Sequence, residues 1–306
     1  MLVVCIKGGW LRYAQADVSG RGFEINCLGG LLLPPELFPP KLKSSDLEGQ
    51  LQKAFKRVAD VLEKPDREVF VSMDREWIDC TLLRSDAILD EATKESYLRW
   101  ILAERWGTLW NTSAVFFQTV PNGGGEEELT VACTTTEHVI EGVKSAINGV
   151  GCVPAWLEPN SLSIYRTVMA SDDGKHSKTI VAAARETVLD VQFIDRVRLR
   201  SFGTLSLRSG KVKCVSVQGD GDFAERCVEE WNGYLDDSDK SPDLRVVLTG
   251  EFSRQRFRAI KGDKSGDGVT VVIDPFPRAD ISADGSLHKK GSPFVELLGL
   301  IQRRAR

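Results

Sequence analysis

The chain has 306 residues, 42% hydrophobic and 27% charged, with a formal net charge of −4. That length supports one large domain or two medium lobes with cores of their own, and the charge fraction excludes wholesale disorder. No basic stripe points to nucleic acid, and no apolar run approaches the roughly 20 residues that span a bilayer.

The start, "MLVVCIKGG", lacks a basic n-region and a long apolar core, so it reads as a first strand rather than a signal peptide, and the expected compartment is the cytosol. The seven cysteines, Cys5, Cys27, Cys80, Cys133, Cys152, Cys214 and Cys227, form no C-x-x-C pair and read as reduced, buried thiols.

In chain order, "LVVCIKG", "WLRYAQADVS" and "GFEINCLGGLLL" read as a strand meander broken by Gly8-Gly9 and by residues 19–22. "SSDLEGQLQKAFKRVADVLEK" reads as a helix capped by Ser45 or Asp46, with Leu47, Leu51, Phe55, Val58 and Leu62 at helical spacing and Pro65 as its stop. Two strands, "REVFVSMD" and "IDCTLLRS", precede a helix over 88–106. "SAVFFQTV" and "ELTVACTTT" are strands. "EHVIEGVKSAINGVG" is a helix, with Thr136 the expected cap. A short strand, "CVPAWLEP", leads into a helix near Asn160. The polar stretch "SDDGKHSK", residues 171–178, is the expected lobe boundary.

After it a second meander begins: "KTIVAAARET", "VLDVQFID", "RVRLRSFGTLSL" and "VKCVSVQ". The helix "FAERCVEEWNGYL", the strands "LRVVLTGEF" and "GVTVVIDP", and the closing helix "SPFVELLGLIQRRAR" complete the chain. Each half therefore opens with a meander and proceeds to helices and further strands. The predicted class is α/β with mixed sheets in two lobes.

This order of pieces resembles the actin-like ATPase superfamily, and within it the PilM-type pilus-assembly and GspL-type secretion proteins. "VVCIKGGWLRYA" sits where that family has its first phosphate loop, "TIVAAARETVLDVQFID" at the second and "VVLTGEF" at the adenosine motif. "LTVACTTTEHVIEGVKSAINGVGCVPAWLEPNSLSIYR" resembles the segment leading to the interlobe helix, and "SPFVELLGLIQRR" the closing helix. The resemblance implies a two-lobed actin-like (ribonuclease H-like) fold. The first lobe is expected over 1–170, with an inserted subdomain at about 65–150. The second lobe is expected over 171–290, and a helix over 291–306 returns to the first. Little room separates Val217 from Phe223, so the second lobe is expected to lack a sizeable insertion.

The same resemblance marks the site. The family's first loop carries Asp-x-Gly, the Asp orienting water on Mg²⁺ and the Gly admitting phosphate. Here Cys5 holds the Asp place and Lys7 the Gly place, with Gly8 and Gly9 read as a hairpin turn. The second Asp-x-Gly falls on Ala182-Ala183-Ala184. In the third motif Thr249 and Gly250 persist, while Glu251 and Phe252 replace glycines. A shifted register would offer Asp17 or Asp190 as a carboxylate. The expected outcome is a degenerate cleft without a catalytic residue, cofactor or metal. ATP and Mg²⁺ enter only under the alternative of an active ATPase or kinase.

Other candidates carry simpler readings. The three histidines, His138, His176 and His288, are far apart in sequence. "GDGD" (219–222) and "GDKSGDG" (262–268) lack the register of a Ca²⁺ loop and read as turns. Tyr97, Trp100, Trp106 and Trp110 read as core, with an exposed protein-binding anchor as the alternative. The basic end "IQRRAR" suits a helix C-terminus, or a segment flanking a membrane span on its cytoplasmic side. The implied function is a scaffold peripheral to the inner membrane. It would bind the short cytoplasmic tail of a membrane protein, an assembly ATPase, or both.

Overall fold

The computed structural model describes the chain apart from residues 20–21, 35–36, 38–46, 63–67, 87–88, 107–112, 121–126, 171–175, 186–187, 209, 237–242, 251–269, 273–294 and 305–306. The first half comprises β1 (Leu2–Lys7), β2 (Trp10–Ser19), β3 (Gly22–Leu32), α1 (Leu47–Val61), β4 (Glu68–Met73), β5 (Asp79–Asp86), α2 (Glu91–Trp106), β6 (Ser113–Val120), β7 (Glu127–Thr136), α3 (Glu137–Asn148), β8 (Val153–Pro159) and α4 (Asn160–Ala170). The second half comprises β9 (Lys178–Ala184), β10 (Val188–Asp195), β11 (Arg198–Arg208), β12 (Lys211–Gly219), α5 (Gly221–Leu235), β13 (Leu244–Thr249), β14 (Thr270–Val272) and α6 (Val295–Arg304).

The first sheet has the order β3-β2-β1-β4-β8 and the second the order β12-β11-β10-β9-β13-β14. In each, an antiparallel meander continues into parallel strands: β1 with β4 and β4 with β8, then β9 with β13 and β13 with β14. The halves thus repeat one plan, and the second adds the edge strand β12.

The run Leu2-Val3-Val4-Cys5-Ile6 is apolar without alternation because both faces of β1 are covered. Leu2, Val4 and Ile6 pack with Leu51 and Phe55 of α1 and Val139 and Val143 of α3. Val3 and Cys5 point the other way, into a cluster with Leu297, Leu300 and Ile301 of α6. α6 therefore lies on the first sheet and against α4. In the second lobe α5 covers the face bearing Ile180, Ala182, Ala184, Leu189 and Phe193.

The inserted unit is narrower than 65–150. β4 belongs to the first sheet, and β5, β7 and β6 form a separate three-stranded sheet. α3 is held by the first lobe's core, because Val139, Val143 and Ala146 pack there. α2 starts at Glu91, since the Asp90 carboxylate accepts from the Thr93 N–H at 3.0 Å and from its hydroxyl at 2.6 Å. Thr136 stands at the N-cap of α3, but its side chain makes no capping bond, contrary to the sequence expectation. In the second lobe only Asp220 separates β12 from α5. Its carboxylate accepts from Phe223 N at 3.0 Å, which makes "GDGD" a helix start. The expected Ser45 or Asp46 cap, Pro65 and "GDKSGDG" lie outside the described residues.

Candidate functional site

β1 and β2 are joined by a two-residue turn closed by the Lys7–Trp10 pair, with Gly8 at φ 52° and Gly9 at φ 77°. Positive φ at both positions is the geometry that lets twisted strands meet, and glycine adopts it without strain. The turn is held from the first lobe, where the Asp74 carboxylate accepts from Gly8 N at 3.0 Å and from Glu76 N at 3.0 Å. The Lys7 side chain is mostly buried. It donates to Glu296 Oε1 of α6 at 2.6 Å, and Glu296 is fully buried. Among the described residues Glu296 Oε2 has no hydrogen-bond partner.

Cys5 is fully buried, and its thiol donates to Asn160 Oδ1 at 3.6 Å. Burial, reinforced by the nearby Glu296 charge, pushes this thiol far above its ordinary range, so it stays neutral. Ser72 donates to the same Asn160 oxygen. Alongside it, Glu158 pairs with Arg166 of α4 and accepts from Ser163.

The β9–β10 hairpin corrects one reading. Its closing pair is Arg185–Val188, with Arg185 N donating to Val188 O at 2.9 Å, so Arg185 stands where Lys7 stands in the first hairpin. Counting back, Cys5 corresponds to Ala183. Ala182 and Ala184 point their methyl groups into the α5 core, whereas Ala183 faces the first lobe. The Asp-x-Gly frame therefore falls on Ala183-Ala184-Arg185, one residue later than the sequence reading. A one-residue slip flips every strand side chain to the other face. The corrected frame still supplies no carboxylate.

The third loop meets the other two. Gly250 has φ 91°, and a Cβ there would stand 2.9 Å from Ala184 O and 3.6 Å from Lys7 Nζ. Thr249 is fully buried. Glu251 and Phe252 lie outside the described residues.

Below these turns lies a cavity of about 520 Å³ between the lobes, walled by Gly8 and Asp74, by Asn160 and Ile164 of α4, and by Ala183 and Gln192 of the second sheet. Charged groups from both lobes meet at it. Arg75 reaches Asp190 at 3.7 Å and Thr204 Oγ1 at 3.2 Å; Arg185 pairs with the same Asp190 and lies 3.9 Å from Glu76. Asp190 is thus engaged by two arginines. Burial raises the Asp74 pKa to about 6, against the lowering pull of the Gly8 N–H. Among the described residues no three His, Cys, Asp or Glu side chains gather as a metal site.

Other sequence candidates lie elsewhere. Asp17 accepts from Asn26 Nδ2 at 2.8 Å on the exposed β2–β3 ladder and does not line the cavity. Tyr97 and Trp100 are 40% and 60% exposed, with ring centroids 6.2 Å apart, so they are not core; Leu98 and Leu102 fill that role on α2. Trp106 closes α2, and Trp110 is outside the described residues. His138 is exposed on α3, His176 is half-buried beside β9, and His288 is outside the described residues. The described cysteines are all free, but Cys214 is exposed rather than buried. The sequence reading missed Asp74, Asn160 and Glu296. The signal available was a lone acid inside an apolar helix run, "FVELLGL".

No family model matches the chain, and no curated protein matches it by sequence. The structure is similar to the solved "PilM-PilN type IV pilus biogenesis complex" at 15% identity and TM-score 0.72, over 100% of this chain and 98% of that one. It is also similar to a Bacteroides thetaiotaomicron protein of actin-like ATPase fold and unknown function, at 8% identity and TM-score 0.52, over 98% of this chain and 95% of that one. The chain has the actin-like ATPase fold. A looser likeness, TM-score 0.44 at 12% identity over 99% and 93% of the two chains, runs to the cytoplasmic domain of EpsL, an inner membrane component of the type II secretion system of Vibrio cholerae. The fold assignment rests on the first two.

Proposed function

We propose that the chain is a non-catalytic actin-like scaffold of a type IV pilus or type II secretion assembly platform. It acts at the cytoplasmic face of the inner membrane and holds the cytoplasmic tail of a membrane protein, the assembly ATPase, or both. One observation carries the non-catalytic part. Lys7, at the turn where an actin-like ATPase grips phosphate, is committed to the buried Glu296. The donor set fits Mg²⁺ and ATP poorly: a neutral Cys5 thiol replaces a carboxylate toward a hard cation that prefers oxygen, and Ala183 offers no ligand. Support for the assembly role is the similarity over both full chains to the PilM–PilN complex. Among the described residues no helix is long and apolar enough to cross a membrane.

Titration calorimetry with Mg-ATP tests the first part. No heat at millimolar nucleotide is expected, and micromolar binding overturns it in favour of an active ATPase or kinase. Pull-down with a peptide of the cytoplasmic tail encoded by the neighbouring membrane-protein gene tests the second. Retention is expected, and its absence, with the assembly ATPase also not retained, removes the scaffold reading.

A further inference from the structure

Cys80 and Cys133 stand directly opposite each other in the antiparallel β5–β7 ladder. Opposed residues share a face, with Cα atoms about 4.5–5.5 Å apart. That lies inside the roughly 4.4–6.8 Å that a disulfide bridges. The Cys80 thiol is also the neighbour that most raises the Cys133 thiol above its ordinary range. Among the described ladders no other cysteine faces a second one: Cys5 faces Arg12 and Ser72, Cys27 faces Gln15, and Cys214 faces Leu205.

Their access differs. Cys80 lines the interlobe cavity, with its sulfur 3.7 Å from Ser161 Oγ in the first turn of α4. Cys133 is buried behind it, 4% exposed. One thiol meets what enters the cavity; the other meets only its neighbour.

We propose that Cys80 and Cys133 are a redox modification site, in which a small peroxide entering the interlobe cavity oxidises Cys80 and Cys133 resolves the product as a cross-strand disulfide. In the first step the Cys80 sulfur, its proton released, attacks hydrogen peroxide. An S–O bond forms and the O–O bond breaks. The departing hydroxide takes up a proton, leaving a sulfenic acid and water. In the second step the Cys133 sulfur attacks that sulfur. The S–S bond forms, the S–O bond breaks, and hydroxide leaves with the Cys133 proton as a second water. Two thiols are oxidised by two electrons and one peroxide is reduced. The Cys80 thiol and burial hold the Cys133 thiol above its ordinary range, so closure accelerates as pH rises. Disulfide formation also changes the Cys80 sulfur that contacts Ser161 Oγ in the first turn of α4, the helix that leads from the first lobe into the second. The site is independent of the scaffold reading.

The test treats the folded full chain with graded hydrogen peroxide, blocks remaining thiols in denaturant and maps peptides. The exposed Cys214 serves as the dose marker. The expected product is a Cys80–Cys133 linked peptide pair, lighter by two hydrogens, lost on reduction and absent in Cys80→Ser. In Cys133→Ser, Cys80 is expected to stop at a sulfenic acid that dimedone traps. The proposal is overturned if both thiols remain free at a dose that converts Cys214, or if the unmodified chain accumulates Cys80 sulfenic acid beside free Cys133. Should Cys133→Ser fail to fold, the unmodified chain and Cys80→Ser decide the question alone.

Discussion

Gly299 is the point at which α6 crosses α4. A Cβ there would overlap the backbone carbonyl of Ser163, which cannot swing aside as a side chain would. α4 also grips α6 at this crossing, with Arg166 Nε donating to Gly299 O at 3.2 Å and Thr167 Oγ1 to Val295 O at 2.9 Å. Gly299→Ala is expected to cost about 3 kcal/mol, seen as a lower urea midpoint at unchanged slope. Close by, Lys7→Met would leave Glu296 buried and uncompensated, at a cost of about 3–5 kcal/mol. The double replacement Lys7→Met with Glu296→Leu is expected to recover most of that loss in the same unfolding assay; no recovery would mean that the pair is not an isolated buried charge couple. Asp74 gives a pH signature. Its folded pKa of about 6 lies above the ordinary carboxylate value, so the folded state binds the extra proton. Stability therefore falls as pH rises from about 4 to 6, by up to roughly 3 kcal/mol, and is level above that. Asp74→Asn should flatten this slope, whereas an unchanged profile would place the titration elsewhere.

The elements show where a linear reading succeeds and where it fails. The meander β1–β3 was legible because glycine turns separate its strands, β9–β12 because short breaks such as Arg185-Glu186-Thr187 and Ser209-Gly210 separate alternating strands, and α1 because Leu47, Leu51, Phe55 and Val58 mark one buried face. The frame of β9 was not legible. Three successive alanines, Ala182 to Ala184, carry no polarity to say which points inward, and only the Arg185–Val188 closing pair fixes it. α2 misled for a related reason. Its apolar residues spread around the helix, so Tyr97 and Trp100 competed with Leu98 and Leu102 for the inward face. The structure gives that face to the leucines, against Leu83 and Ala132. Leu98→Ala and Leu102→Ala are each expected to cost about 2–4 kcal/mol. Tyr97→Ala and Trp100→Ala should stay within about 0.5 kcal/mol by chemical denaturation. A large loss for Trp100→Ala would mean that its ring is covered in solution. The ion pair at the site was invisible for a different reason: Lys7 and Glu296 lie 289 positions apart, and no local pattern links them.

Across the whole molecule the two lobes are not independent folding units. α4 of the first half places Ile164, Tyr165 and Val168 in one continuous core with Val181, Ile194, Leu199 and Val247 of the second sheet. The Tyr165 hydroxyl adds a bond to Val197 O at 2.6 Å. The charged contacts between the lobes contribute far less, because Arg75, Arg185 and Asp190 keep 49%, 33% and 27% of their side chains exposed. Pairs of that kind contribute about 0–1 kcal/mol and are screened by salt. The shared apolar core, rather than the clasp at the cavity, must therefore couple the lobes. Scanning calorimetry should accordingly show a single transition whose calorimetric and van't Hoff enthalpies agree, despite a length at which chains often unfold in steps. Asp190→Ala should leave that transition single and its midpoint nearly unchanged. Ile164→Ala removes a buried side chain from the junction itself and should lower the midpoint and separate the lobes' transitions. Two resolved transitions in the unmodified chain would show instead that the lobes unfold independently, with the interlobe core too weak to join them.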